Sequence, residues 1–261
     1  MKMDDTHPLK PMYFGESLLI FGIPAALFVL SVYGLIPALM DAGQSEYVSY
    51  SLGLMVPLIV MLAAAFIALR LESRPLTWPS IRERFRLRRM DRSDWLWTVI
   101  ALPAMVIGMG VMSWVAEVIR QATHMPLPAN LIPILDPRLS AQIIEVFRNA
   151  IGPRYLGDWG AFWLLFVVLF FNIVGEELWW RGYVLPRQEL AFGKWTWLIH
   201  GTLWACFHAF KYWEVLSLLP VTLILSYVAQ KRRNTWPGII LHYLINGVSF
   251  IPVILIITGK I

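Results

Sequence analysis

One cysteine, Cys206, is all that the 261 residues contain, which excludes an intrachain disulfide and any cysteine-based zinc cage. Neither a G-x-S-x-G elbow nor an H-E-x-x-H helix occurs, and Ser217, Ser226 and Ser249 have no acid and base at a recognisable spacing. Serine-hydrolase and zincin chemistry therefore have no motif to rest on. No repeat of fixed period and no low-complexity linker interrupts the chain, so a single domain over residues 1–261 is expected.

What is abundant is apolar. The chain is 58% hydrophobic with a mean hydropathy of +0.61, and several apolar runs exceed the ~18 residues that mark a spanning helix. Seven segments are expected, about 16–39, 48–69, 95–118, 160–180, 194–211, 214–230 and 237–258. The fold class is thus an all-α, polytopic transmembrane bundle of about seven spans, with six to eight compatible. The first run follows Lys2 and Lys10 but is too long for the apolar core of a secretory signal, and no small-residue cleavage site follows it.

Charge is distributed unevenly. Arg70, Arg74, Arg82, Arg84, Arg86, Arg88, Arg89 and Arg92 crowd the loop between Arg70 and Asp94, whereas Asp41 to Tyr47 has no Lys or Arg. The Arg70–Asp94 loop and the N-terminus are therefore expected in the cytoplasm, Lys231, Arg232 and Arg233 agree, and the C-terminus falls outside. The net charge of +5 points to anionic lipid at the Arg-rich loop as partner, not nucleic acid. The longest non-spanning segment, Arg120 to Trp159, faces outward. Asp136-Pro137 reads as a helix start, and Leu139, Ile143, Val146, Phe147 and Ala150 recur on one face, as in an interfacial helix or one packed on neighbouring spans.

The unusual polar residues lie in the second half. Glu176 and Glu177 end the apolar run Ala161 to Val174, where a carboxylate costs roughly 2.5–3.5 kcal/mol at mid-bilayer, so each needs a partner or a function. On a helix Glu177 and Arg181 are i,i+4 neighbours that can pair, while Glu176 lies ~100° away and shares a face with Asn172. His208 lies in a separate apolar run, four residues after Trp204. His242 and Asn246 form another i,i+4 polar pair on the last run. Two carboxylates, two imidazoles and a carboxamide on three spans exceed what interhelical packing requires.

These residue types suit amide hydrolysis: a buried carboxylate takes a proton from water, an imidazole shares it, and a carboxamide with a second imidazole donates to the oxyanion. Glu and His are also zinc ligands, so a divalent metal stays open as an alternative, although no zincin spacing occurs and no cofactor is expected.

Glu176-Glu177-x-x-x-Arg181, continuing as Gly182-Tyr183-Val184-Leu185-Pro186-Arg187, resembles the first motif of the CPBP intramembrane proteases, the group that includes the CAAX prenyl endopeptidases of the Rce1 type. Trp204-x-x-x-His208 is similar to the second, and His242-x-x-x-Asn246, entered through Trp236-Pro237-Gly238, to the last; the three cover residues 172–246. The resemblance implies a glutamic-type intramembrane endopeptidase, although relatives have also been labelled metalloproteases. Glu176 and His208 would activate water with Glu177 assisting, His242 and Asn246 would hold the oxyanion, and Arg181 would be structural. Trp204 departs from the phenylalanine usual there and would narrow the pocket. The implied substrate is a membrane-anchored protein or peptide, prenylated or not. A transporter, or a non-catalytic scaffold or immunity factor on the same fold, remain the rival classes.

Depth is the difficulty. Counted from Gly160, Glu176 lies ~24 Å in, near the cytoplasmic side, whereas His208 counted from Gly193 lies ~22 Å away from that side. The expectation is that the segment around Phe192 to Trp197 starts outside the hydrocarbon, and that a polar cleft opens from the cytoplasmic face.

Overall fold

The computed structural model describes residues 9–152 and 156–261; Lys2 lies outside the described residues. Among the described residues the chain is helical and has no strand, as expected of an all-α bundle. Helix α1 (Phe14–Leu30) runs through a π turn, Ser31–Leu35, into α2 (Ile36–Asp41). Helix α3 (Glu46–Leu71) starts where the Ser45 hydroxyl accepts from the Val48 N–H at 3.3 Å. A short α4 (Trp78–Arg84) leads to α5 (Arg92–Thr123). Its start is fixed by a reciprocal capping box between Asp91 and Asp94, at 2.8 and 3.0 Å. Beyond α6 (Ile143–Ile151) come α7 (Trp159–Glu177), a π segment Leu178–Val184, and α8 (Leu185–Phe192). The chain ends in α9 (Thr196–Phe207), α10 (Val215–Arg232), α11 (Trp236–Asn246) and α12 (Phe250–Ile257).

Among the described residues five stretches are long and apolar enough to cross a bilayer: Phe14–Asp41, Glu46–Leu71, Arg92–Thr123, Trp159–Arg232 and Trp236–Ile257. The fourth is not one rod. Gly193 leaves the helix at φ +54, a conformation that favours glycine, and Lys211 breaks it again at φ −133, ψ 59. Three legs result, and the expected segments 160–180, 194–211 and 214–230 fall on one each. The first leg continues past the expected end to Phe192 and is roughly 50 Å long, whereas the 12-residue α9 rises only about 18 Å, less than a hydrocarbon core.

Helix ends gather at two opposite faces. At one, Met12 N–H donates to the Arg187 carbonyl (3.0 Å), Arg86 pairs with Glu189 (2.7 Å), Thr235 donates to the Phe85 carbonyl (2.7 Å) and Arg232 meets Asp94 (2.8 Å). This is the Arg-rich end. At the other, Tyr47 donates to the Ala161 carbonyl (2.8 Å) and Ile134 N–H to Glu46 (3.0 Å). Between them, α5 exposes Leu96, Val99, Ile100, Ile107, Val111 and Trp114, an apolar row suited to lipid. The chain is an integral, multi-pass membrane protein.

The segment between α5 and α7 differs in detail from expectation. Asp136-Pro137 begins a 3-10 stretch, Pro137–Gln142, capped by Asp136 accepting from Arg138 N–H at 2.9 Å, and the α-helix starts only at Ile143. Val146 and Ala150 are buried, with Phe147 against Tyr47, Ala161, Val253 and Ile257, while Ile143 is exposed. The helix therefore packs on its neighbours.

Candidate active site

The π segment follows directly on the two glutamates. Its wider turn disturbs the regular helical ladder, and the fully buried Arg84 answers by donating to the Gly182 and Tyr183 carbonyls at 2.8 and 3.4 Å, itself held by Glu72 at 2.6 Å. Gly182 is required there: a Cβ would stand 2.9 Å from the Phe85 ring. Helix α7 is thereby locked against α4 just past the carboxylates.

Measured from the Gly193 turn, the depth difficulty disappears. Glu176 is about 24 Å up one leg, and His208, reached through a 3-10 turn and α9, is about 24 Å up the next. The length of α8, with its polar Arg187, Gln188 and Glu189, brings both groups to one level. The region around Phe192 to Trp197 is the turn between α8 and α9.

Glu176 is held on both oxygens. Asn172 Nδ2 donates to Oε1 at 2.6 Å and the Trp204 indole Nε1–H to Oε2 at 2.8 Å. Asn172 Oδ1 accepts from Asn246 Nδ2 at 2.8 Å, so α11 is tied to α7 through the same side chain. The imidazole of His208, at the end of α9, contacts the Trp204 carbonyl through Nδ1 at 2.9 Å. A chain Asn246–Asn172–Glu176–Trp204–His208 thus links α11, α7 and the end of α9.

Glu177 occupies a second network. Its Oε1 lies 3.1 Å from Arg181 Nη1 and 3.0 Å from His242 Nδ1, and both side chains of the Glu177–Arg181 pair are fully buried. The Arg181 guanidinium stacks 3.4 Å from the Trp204 ring centroid, which gives the buried cation a π face as well as a carboxylate. Gly238 leaves room for Glu177 Oε2, since a Cβ there would collide with that oxygen.

Glu176, His208, His242, Asn172 and Asn246 line one cavity of about 350 Å³. Glu177 and Arg181 do not line it; they stand behind it and reach it through His242 and Trp204. The cavity wall also includes Tyr47, Ile134 and Phe147, so it extends toward the end opposite the Arg-rich loop. The expected opening from the Arg-rich face is corrected here: that side is filled by Trp180, Arg181 and His200, all buried.

Lys211, in the break after α9, lines the cavity and pairs with Glu214 at 2.6 Å; nothing in its spacing announced it. His200 was also missed. It is buried against Gln188 (2.6 Å), which donates to Ser17 at 2.9 Å, a polar contact fastening α1 to α8 and α9. Among the described residues no three His, Cys, Asp or Glu side chains are placed to hold a metal ion. Glu177 is engaged by Arg181 and His242.

The fold and site define a polytopic membrane protein with paired carboxylates and imidazoles buried at one level of a helix bundle. Residues 158–248 match the family model described as type II CAAX prenyl endopeptidase Rce1-like. The match covers about a third of the chain and supports a CPBP/CAAX protease family assignment for the region that carries the site. Comparison with curated proteins and with solved structures gave no match.

Proposed function

We propose that this protein is an intramembrane endopeptidase that hydrolyses a peptide bond of a membrane-anchored protein or peptide with glutamate- and histidine-activated water. The observation that carries the reading is the shared cavity: Glu176, His208, His242 and Asn246 come from α7, the end of α9, and α11, yet face one space. In His208 and His242 the Nδ1 atoms are engaged by the Trp204 carbonyl and Glu177, so Nε2 is the nitrogen left for water or substrate.

Glu176 accepts a proton from water, assisted by His208, as the water oxygen bonds to the scissile carbonyl carbon. The resulting oxyanion receives a hydrogen bond from the second Nδ2–H of Asn246 and, with His242 as the imidazolium beside Glu177, one from its Nε2–H. Collapse breaks the C–N bond, and the proton passes from Glu176 to the departing amine, leaving a carboxylic acid and an amine. Glu177 fixes His242, and Arg181 balances the charge of Glu177. No cofactor takes part.

Phe28, Leu54, Leu58, Phe207 and Phe210 give the cavity an apolar side suited to a substrate entering from lipid. The family description names prenylated CAAX proteins as one such class. The Arg-rich end and the N-terminus are assigned to the cytoplasm, supported by the arginine asymmetry. The test is cleavage of a prenylated peptide and of an unmodified membrane-anchored one by purified protein and its Glu176→Ala variant. Cleavage by the parent alone supports the reading; equal cleavage by both overturns it.

A further inference from the structure

A second concave site lies at the Arg-rich end, where α8, the Gly193 turn and α10 meet. It has a volume of about 530 Å³ and is bordered by Lys194, Lys231 and Arg233, with Trp197 and Tyr227 forming an aromatic wall. The two rings meet edge to face at 5.6 Å, and Tyr227 also contacts Trp97 of α5 at 5.6 Å. Gln230 braces the site by accepting from Trp197 N–H at 2.7 Å and donating to the Gly193 carbonyl at 2.8 Å.

The cations of this site differ from most of the loop arginines. Arg74, Arg84, Arg86 and Arg232 are bound to Glu72 or Glu83, Glu72, Glu189, and Asp91 with Asp94, and Arg88 donates to the Arg232 and Arg233 carbonyls. Their charge is spent on docking the loop. Lys194, Lys231 and Arg233 are exposed and have no carboxylate partner among the described residues. The one carboxylate in the wall, Glu189, is neutralised by a two-pronged contact from Arg86 at 2.7 and 2.8 Å.

Position selects the ligand. Exposed Trp95, Trp195 and Trp236 stand at this same end, the arrangement of an interfacial aromatic belt. The apolar row of α5, with Leu198 of α9 also exposed, runs from the site toward the membrane interior. We infer that this pocket binds the phosphate-bearing headgroup of an anionic phospholipid, with Lys194, Lys231 and Arg233 meeting the phosphate and the acyl chains lying along α5. Arg70, Arg89 and Arg92 provide only diffuse attraction. The inference stands apart from the proposed hydrolysis.

The test uses full-length protein in nonionic detergent, titrated with short-chain phosphatidylglycerol, with phosphatidylcholine of the same chain length, and with glycerol phosphate. Bound lipid is read by native mass spectrometry and by tryptophan fluorescence. At about fivefold per cation near a membrane surface, Lys194→Gln/Lys231→Gln/Arg233→Gln should bind phosphatidylglycerol on the order of 100-fold more weakly. Arg70→Gln/Arg89→Gln/Arg92→Gln should change it little. Equal losses in both variants, or no preference for phosphatidylglycerol over phosphatidylcholine in the parent, overturn the site. Glycerol phosphate binding as tightly as the lipid overturns the lipid as its source. If the triple variant fails to fold, Lys231→Gln alone should show a loss of about fivefold, and an unchanged affinity there also overturns the proposal.

Discussion

The indole Nε1–H of Trp204 donates to Oε2 of Glu176 at 2.8 Å, across a helix-to-helix gap that no sequence spacing defines. The same residue supplies the carbonyl that orients His208 and the ring that covers Arg181. Its size, which suggested a narrowed pocket, matters less than its polar edge. Trp204→Phe keeps an aromatic ring but removes that donor. A hydrogen bond to a charged group contributes ~1.5–3 kcal/mol, so kcat should fall by about 10- to 100-fold with KM little changed. A rise in KM at constant kcat would instead make Trp204 a pocket wall.

The two glutamates should separate under conservative replacement. Glu176→Gln retains size and one of the two accepted hydrogen bonds and removes the base, so activity should fall by about 100-fold or more with the protein still folded. Arg181→Ala strands Glu177 in a fully buried position. That should cost on the order of 3–5 kcal/mol and appear as a lower melting temperature or poor accumulation. Stable but inactive Arg181→Ala protein would place the arginine in the reaction itself.

Helical periodicity made part of this arrangement legible. The pairs Asn172–Glu176 and Glu177–Arg181 are i,i+4 neighbours, and both contacts are present at 2.6 and 3.1 Å. What periodicity cannot give is which helices face each other. The contacts Glu177–His242, Asn172–Asn246 and Trp204–Glu176 all depend on tertiary packing. The π segment Leu178–Val184 was likewise hidden, because its wider turn is stabilised by Arg84, nearly a hundred residues away in sequence. The depth difficulty of His208 arose from ending the first leg near residue 180, where apolarity fades, although the helix continues to Phe192 on polar contacts of α8. The direction of the cavity was lost for the same reason: only packing shows that Arg181 and Trp180 close the Arg-rich side.

Asn172 should behave as a coupling residue. It donates to Glu176 and accepts from Asn246, so Asn172→Ala and Asn246→Ala each break the same bridge. In a double-mutant cycle on kcat, the pair should deviate from additivity by about 0.5–3 kcal/mol, the double variant being scarcely worse than the poorer single. Strict additivity would mean that the two amides act independently.

Hydrolysis should proceed without a protein-bound metal. Purified protein should contain well under one equivalent of zinc by elemental analysis, and activity should survive a chelator that strips structural zinc. One equivalent of zinc, with activity lost on chelation and restored by zinc, would require a different water-activating step.

Gly238 provides a test of sign. In an ordinary helix interior Gly→Ala stabilises by ~1 kcal/mol. Gly110, on α5 with open space around its Cα, should follow that rule or be neutral when replaced by Ala. At Gly238 the new methyl group would meet Glu177 Oε2 head-on, and that carboxylate is fixed by Arg181 and His242 and cannot swing away without unpairing them. Overpacking of this kind costs about 1–3 kcal/mol, so Gly238→Ala should be destabilised where Gly110→Ala is not. Activity should fall with it, because displacing Glu177 turns the His242 ring that it holds. A Gly238→Ala protein with the stability and activity of the parent would show that Glu177 has an alternative position and that its contact with His242 is dispensable for the site.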